Sequence, residues 1–84
     1  MEVRLSKIAA KYLSRLDTKT KERLMTALRD LSFEPMRGDI EPIAGRRNVY
    51  RDRVVGFRLL FTVQKENNVI VVDKIAPRGE VYKK

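Results

Sequence analysis

The chain contains no cysteine and no histidine. The first absence rules out disulfides and thiolate metal sites. The second removes the commonest general base and the commonest metal ligand, so any catalysis by this chain must proceed without either. Glycine and proline are few, four and three, and four of these seven fall between Pro35 and Gly45, marking a connecting stretch. No apolar run approaches the roughly 18–20 residues of a membrane span. No signal-peptide pattern opens the sequence, and no segment has the strongly apolar helical face that membrane-surface binding requires. A cytoplasmic location, away from the membrane, is therefore expected.

What is present is positive charge. Nineteen Lys and Arg face eleven Asp and Glu over 84 residues, a net charge of +8. The excess is uneven: residues 1–42 hold nine basic and seven acidic side chains, residues 43–84 ten and four. A basic half of this kind suits a surface directed at phosphate backbones. With 43% hydrophobic and 36% charged residues, the composition is that of a folded protein. Its length predicts one domain, 1–84, with one modest core.

The densest signal is RRNVYRDRVVGFRLLFTV, Arg46 to Val63, with five arginines and one acid, Asp52. Its β-branched and aromatic positions predict two strands joined by a tight turn at Val55-Gly56. A two-residue loop there pairs Val54 with Phe57 and Arg53 with Arg58. Side chains alternate faces along a strand, so Val54, Phe57, Leu59 and Phe61 cover a core while Arg51, Arg53 and Arg58 gather on the other face. Like charges directly opposite destabilise a sheet. A polyanion meeting that face would explain their presence, and a solvated basic face is the plain alternative. Arg46 and Arg47 read as loop residues, useful at most for general attraction of RNA.

Elsewhere the pattern is simpler. Glu2 to Leu5 alternates as a short strand. Ser6 is placed to cap a helix over about 7–16, with Ile8, Ala9, Tyr12, Leu13 and Leu16 as its buried stripe. Asp17-Thr18 can cap a second helix over about 19–32, whose stripe is Leu24, Met25, Leu28 and Leu31. The short break between them predicts an antiparallel helical hairpin. Residues 35–47 read as connection, with Ile40 and Ile43 tucked against the core. Asn67-Asn68 is a turn signal. The apolar run Val69 to Val72 then suggests a strand covered on both faces. The expected fold is α+β in the order β-α-α-β-β-β, a helical hairpin packed on a small, mostly antiparallel sheet. A two-residue loop at Asn67-Asn68 would set Pro77 beside Arg58 and bring Arg78 next to the arginine face.

The order, the stretch Y-R-x-R-x-x-x-[FY]-R-[LIV] at Tyr50 to Leu59, and R-x-E-V-Y at Arg78 to Tyr82 together resemble the RelE toxins of type II toxin–antitoxin systems. The likeness spans essentially the whole chain, and the PRG before the last tyrosine looks most like archaeal members. It implies a microbial-RNase-like fold and a metal-independent endoribonuclease that needs no cofactor. Such an enzyme cleaves mRNA in the ribosomal A site: the 2′-OH attacks its own 3′ phosphate, leaving a 2′,3′-cyclic phosphate and a free 5′-OH, and translation stops. Arg58, Arg78 and Tyr82 match the family's catalytic positions, with Arg51 and Arg53 where basic residues line the RNA groove.

Preorganised guanidiniums can stabilise charge on the phosphorane oxygens, and Tyr82 can stack on a base or protonate the leaving group. Some members carry lysines in place of Arg51 and Arg53. Arginine is a poor general base, which leaves a tyrosine of lowered pKa or the ribosome itself for that role. The resemblance further implies a RelB-like antitoxin as partner, besides the ribosome and mRNA, and operator DNA as a target of the toxin–antitoxin complex. Exposed sheet edges suit such an extended, partly acidic partner. Two other readings share the fold: a ParE-type gyrase poison, and a non-catalytic partner in an antitoxin-bound, DNA-autoregulating complex.

Overall fold

A computed structural model describes residues 1–78. The first strand, β1 (Glu2–Leu5), leads into two helices, α1 (Lys7–Ser14) and α2 (Thr18–Leu31). Four strands follow: β2 (Asp39–Pro42), β3 (Val49–Val54), β4 (Phe57–Gln64) and β5 (Val69–Pro77). They form one sheet in the order β1-β5-β4-β3-β2. The run from β2 to β5 is an antiparallel meander, and β1 lies parallel to β5 at its far edge. The helical hairpin thus carries the chain from one edge of the sheet to the other.

Local chemistry accounts for both helix starts. Ser6 caps α1 by accepting the Ala9 N–H (3.0 Å), and its hydroxyl also donates to the Asp73 carbonyl (2.8 Å). Asp17 caps α2 by accepting the Thr20 N–H (3.2 Å). Ala9, Leu13, Leu24, Leu28 and Leu31 face Leu59, Phe61, Val63, Ile70, Val72 and Ile75 across one apolar layer. Phe61, Leu24, Leu31, Leu59, Ile70 and Val72 are fully buried, each contributing about 1.5–3 kcal/mol through removal from water.

The expected α+β class, the helical hairpin and the two-residue Val55-Gly56 turn are all present, with Val54 opposite Phe57 and Arg53 opposite Arg58. Three expectations are corrected. Residues 39–42, read as connection, form β2 on the outer edge of β3, so the order is β-α-α-β-β-β-β. A short edge strand ending in Pro42 carries little sequence signal, because only one of its sides pairs. Secondly, Asn67-Asn68 is not a two-residue loop. Lys65–Asn67 forms a 3-10 turn closed by Asn68 in the left-handed region (φ 56°), and β5 carries an irregularity opposite Leu60/Phe61. Pro77 consequently faces Phe57, and Ala76 faces Arg58. Thirdly, two stripe residues are not buried: Ile8 is 71% exposed and Met25 46%, because the face turned to the sheet is the narrower one of Ala9 and Leu13 on α1 and Leu24, Leu28 and Leu31 on α2.

Candidate functional site

On the face of the sheet away from the helices, three chemistry-bearing residues stand in one row across adjacent strands. Asp39 of β2 pairs with Arg53 of β3, which pairs with Arg58 of β4. The Gly56 turn joins β3 and β4 just beyond Arg53 and Arg58 and takes the positive φ (79°) that the hairpin needs. Its carbonyl accepts the Arg78 N–H at 2.9 Å. That bond fixes the end of β5 against the β3–β4 turn and places Arg78 beside Arg58. Asp39, Arg53, Arg58 and Arg78, with Val54, Val55, Gly56 and Phe57, line a cavity of about 300 Å³.

Arg58 is buried, 7% exposed, whereas Arg78 at the rim is exposed. The Arg53 side chain is 44% exposed and its Nε donates to Asp39 Oδ2 at 2.9 Å, while its Nη2 lies 3.8 Å from Glu41 Oε2. Arg51 Nη2 donates to Glu41 Oε1. The face is therefore not the purely cationic surface that the sequence of β3 and β4 suggests. Two of its guanidiniums sit against carboxylates from β2, which offsets the repulsion between Arg53 and Arg58 across the ladder.

On the opposite, helix-facing side of β3 lies a third acid. Asp52 is 2% exposed, and its Oδ1 accepts the Asp39 N–H at 3.1 Å. Burial pushes its carboxyl up to about 6, and the nearby charges of Asp39 and Asp30 act in the same direction against that hydrogen bond. The Asp52 carboxylate also fills the space beside Gly38 (φ 139°), where a Cβ would lie 2.8 Å from Oδ1.

Among the residues expected at the site, Arg53, Arg58 and Arg78 line the cavity, and Arg51 lies on the same face, held by Glu41. Arg46 and Arg47 are exposed in the loop before β3, at the end away from the cavity. Tyr82 lies outside the described residues. Asp39 and Glu41 fall outside the set expected from the sequence. Their signal was the two-residue spacing in DIEP, which matches that of Arg51 and Arg53, but it has meaning only once residues 39–42 are known to form a strand. Among the described residues, no group of three or more Asp and Glu is arranged to hold a metal ion.

A family model described as the ParE toxin of type II toxin–antitoxin system, parDE, matches residues 3–82. The structure is similar to a chain of the archaeal RelE–RelB complex from Pyrococcus horikoshii, at 26% identity and a TM-score of 0.80, covering 94% of this chain and 96% of that one. It is also similar to a chain of the RelBE2 toxin–antitoxin complex from Mycobacterium tuberculosis, at 25% identity and 0.77, covering 92% and 96%. The isolated RelE toxin of E. coli shares the fold, at 24% identity and 0.78, covering 96% and 89%. No curated protein matches the chain in sequence.

Proposed function

We propose that this chain, which belongs to the ParE toxin family of type II toxin–antitoxin systems, is a ribosome-dependent endoribonuclease that cuts mRNA in the A site. The observation that carries the reading is the meeting of Arg58 and Arg78 in one cavity with Arg53, although Arg53 and Arg58 belong to different strands and Arg78 follows β5. Attack of a 2′-OH on its adjacent phosphate builds negative charge on the phosphorane oxygens. Guanidiniums fixed in advance around that position stabilise the charge without reorganising as it develops. In this reading Arg58, held firm by its burial, binds the phosphate, and Arg78 closes over it from the rim. Arg51 and Arg53 carry the RNA backbone, Arg46 and Arg47 add general attraction at a distance, and Tyr82 stacks on a base or protonates the departing 5′-oxygen. Neither metal nor cofactor enters this reaction.

The test is purified protein mixed with mRNA-programmed ribosomes, with the new mRNA ends mapped by primer extension. Cleavage in the A site is expected from the wild type. Arg58→Ala and Arg78→Ala should each lower the cleavage rate by at least about 100-fold. An intact mRNA after incubation with folded wild-type protein would end the reading. The parDE description of the family favours one alternative, poisoning of DNA gyrase. Trapped gyrase–DNA cleavage complexes in a supercoiling assay would select it.

The partner in either case is a RelB-like antitoxin, in line with relatives whose structures are toxin–antitoxin complexes. The two outer strands, β1 and β2, offer sheet edges to such a chain. The ribosome and mRNA are the targets of the free toxin, operator DNA that of the complex, and the cytoplasm the place where all of them meet.

A further inference from the structure

We propose that Asp39 is the general base that takes the proton of the attacking 2′-OH, an inference that rests on the nuclease reading above. The cavity contains the groups that stabilise a phosphorane, but among the described residues that line it only Asp39 can accept a proton. The other charged side chains there are arginines, which stay protonated at any ordinary pH. The chain has no histidine to take the role.

Position supports the assignment. Asp39, Arg53 and Arg58 form one row on one face of the sheet, with neighbouring strands about 5 Å apart. The Asp39 and Arg58 backbones thus stand about 10 Å apart across the sheet, with Arg53 between them. Side chains converging from the ends of such a row can meet a ribose on one side and its 3′ phosphate on the other. Asp39 is held for this purpose from two directions. Its side chain accepts from Arg53 Nε at 2.9 Å, and its backbone N–H is anchored on buried Asp52. A carboxylate has about four lone-pair sites, so the contact with Arg53 leaves acceptor capacity for a hydroxyl. Glu41, the other acid of β2, is turned to Arg51 and Arg53 instead.

The step balances without a further reagent. The 2′-O–H bond breaks and its proton passes to the Asp39 carboxylate. The oxygen's electron pair forms the O2′–P bond, and the P–O5′ bond breaks. The departing 5′-oxygen takes a proton from water, or from the phenol assigned to it above, which solvent then reprotonates, and Asp39 returns its own proton to solvent. Among the described residues, the charged groups around Asp39 are Arg53 of β3, paired with it, Glu41 two residues along β2 on the same face, Arg58 and Arg78 across the cavity, and Asp52 behind its backbone N–H.

Single-turnover cleavage on programmed ribosomes, followed across pH, tests the assignment with Asp39→Asn and Asp39→Glu. The amide can still accept from Arg53 but cannot take a proton. Asp39→Asn should cleave at least about 100-fold more slowly at neutral pH, with half-saturation by ribosomes changed less than about threefold. Hydroxide must then remove the proton, so the variant's rate should climb about tenfold per pH unit between about pH 7 and 9, where the wild type is flat. Asp39→Glu should recover part of the rate and the flat profile. An Asp39→Asn protein that cleaves within about threefold of wild type, or that is slow but keeps a flat profile, would overturn the assignment and leave Asp39 as a structural partner of Arg53. A wild type that cuts nothing overturns the nuclease reading itself, a different and separately visible outcome.

Discussion

Asp52 buries a carboxyl group on the helix-facing side of β3, beside Gly38 and near Asp30, and its hydrogen bond to the Asp39 N–H only partly offsets the loss of water. The folded state holds its proton up to about pH 6, whereas the unfolded chain releases it near the ordinary aspartate value. Between those two values the folded protein binds more protons, so this group's contribution to stability falls as pH rises through the window. Above about pH 6 it is a constant penalty on the order of 2–3 kcal/mol, and below about pH 4 it vanishes. Urea unfolding at a series of pH values should therefore show the stability of Asp52→Asn gaining on that of the wild type from about pH 4 to 6.5. Parallel curves would mean that Asp52 is ionised throughout. The same residue shows why a single position resists reading from sequence. Asp52 lies among arginines and invites an ion-pair assignment, but strand alternation turns it to the other face, where burial governs it.

At the scale of elements, β2 decides the character of the site. It is four residues long and sits at the sheet's edge, yet it carries both carboxylates that offset Arg51 and Arg53. Its entry is set by Gly38, whose φ of 139° lies outside the range that L side chains readily adopt and whose missing side chain makes room for the Asp52 carboxylate. Gly38→Ala should combine backbone strain with a steric clash and cost about 2–3 kcal/mol, lowering the melting temperature by about 10 °C or more. A change of less than about 2 °C would show that β2 tolerates a different entry. The helices and the β3–β4 hairpin were legible beforehand because their signals are local: a cap, a 3.6-residue stripe, and a two-residue turn ending in glycine. The entry to β5 was not. The 3-10 turn before it and the irregularity opposite Leu60/Phe61 shift the register by one residue, and no turn signal specifies that.

For the molecule as a whole, net charge and local charge part company. The second half of the chain holds most of the basic excess, but at the cavity Asp39 and Glu41 arrive from the first half. In the nuclease reading, Asp39 and Glu41 lower the positive charge of that face, so exposed cations elsewhere, Arg46 and Arg47 among them, add to the long-range attraction of RNA. Arg46→Gln with Arg47→Gln should weaken RNA binding several-fold irrespective of sequence, and reduce the salt dependence of log K by about one to two units. Binding titrations from low to high potassium chloride measure this directly. An unchanged slope would remove both residues from the RNA path.

The sequence by itself determined the α+β class, the helical hairpin, the central strand pair with Arg53 opposite Arg58, and the clustering of arginines on one face. Each follows from side-chain periodicity and turn chemistry acting over a few residues. Only the tertiary structure decided that residues 39–42 become a strand, that Asp39 and Glu41 stand against the arginines, and that Arg78, expected beside the arginine face, reaches it in a shifted register through a bond to Gly56. Those outcomes depend on which strand lies beside which, and strand neighbours are selected by burial of the whole sheet against the helices rather than by any local run of residues.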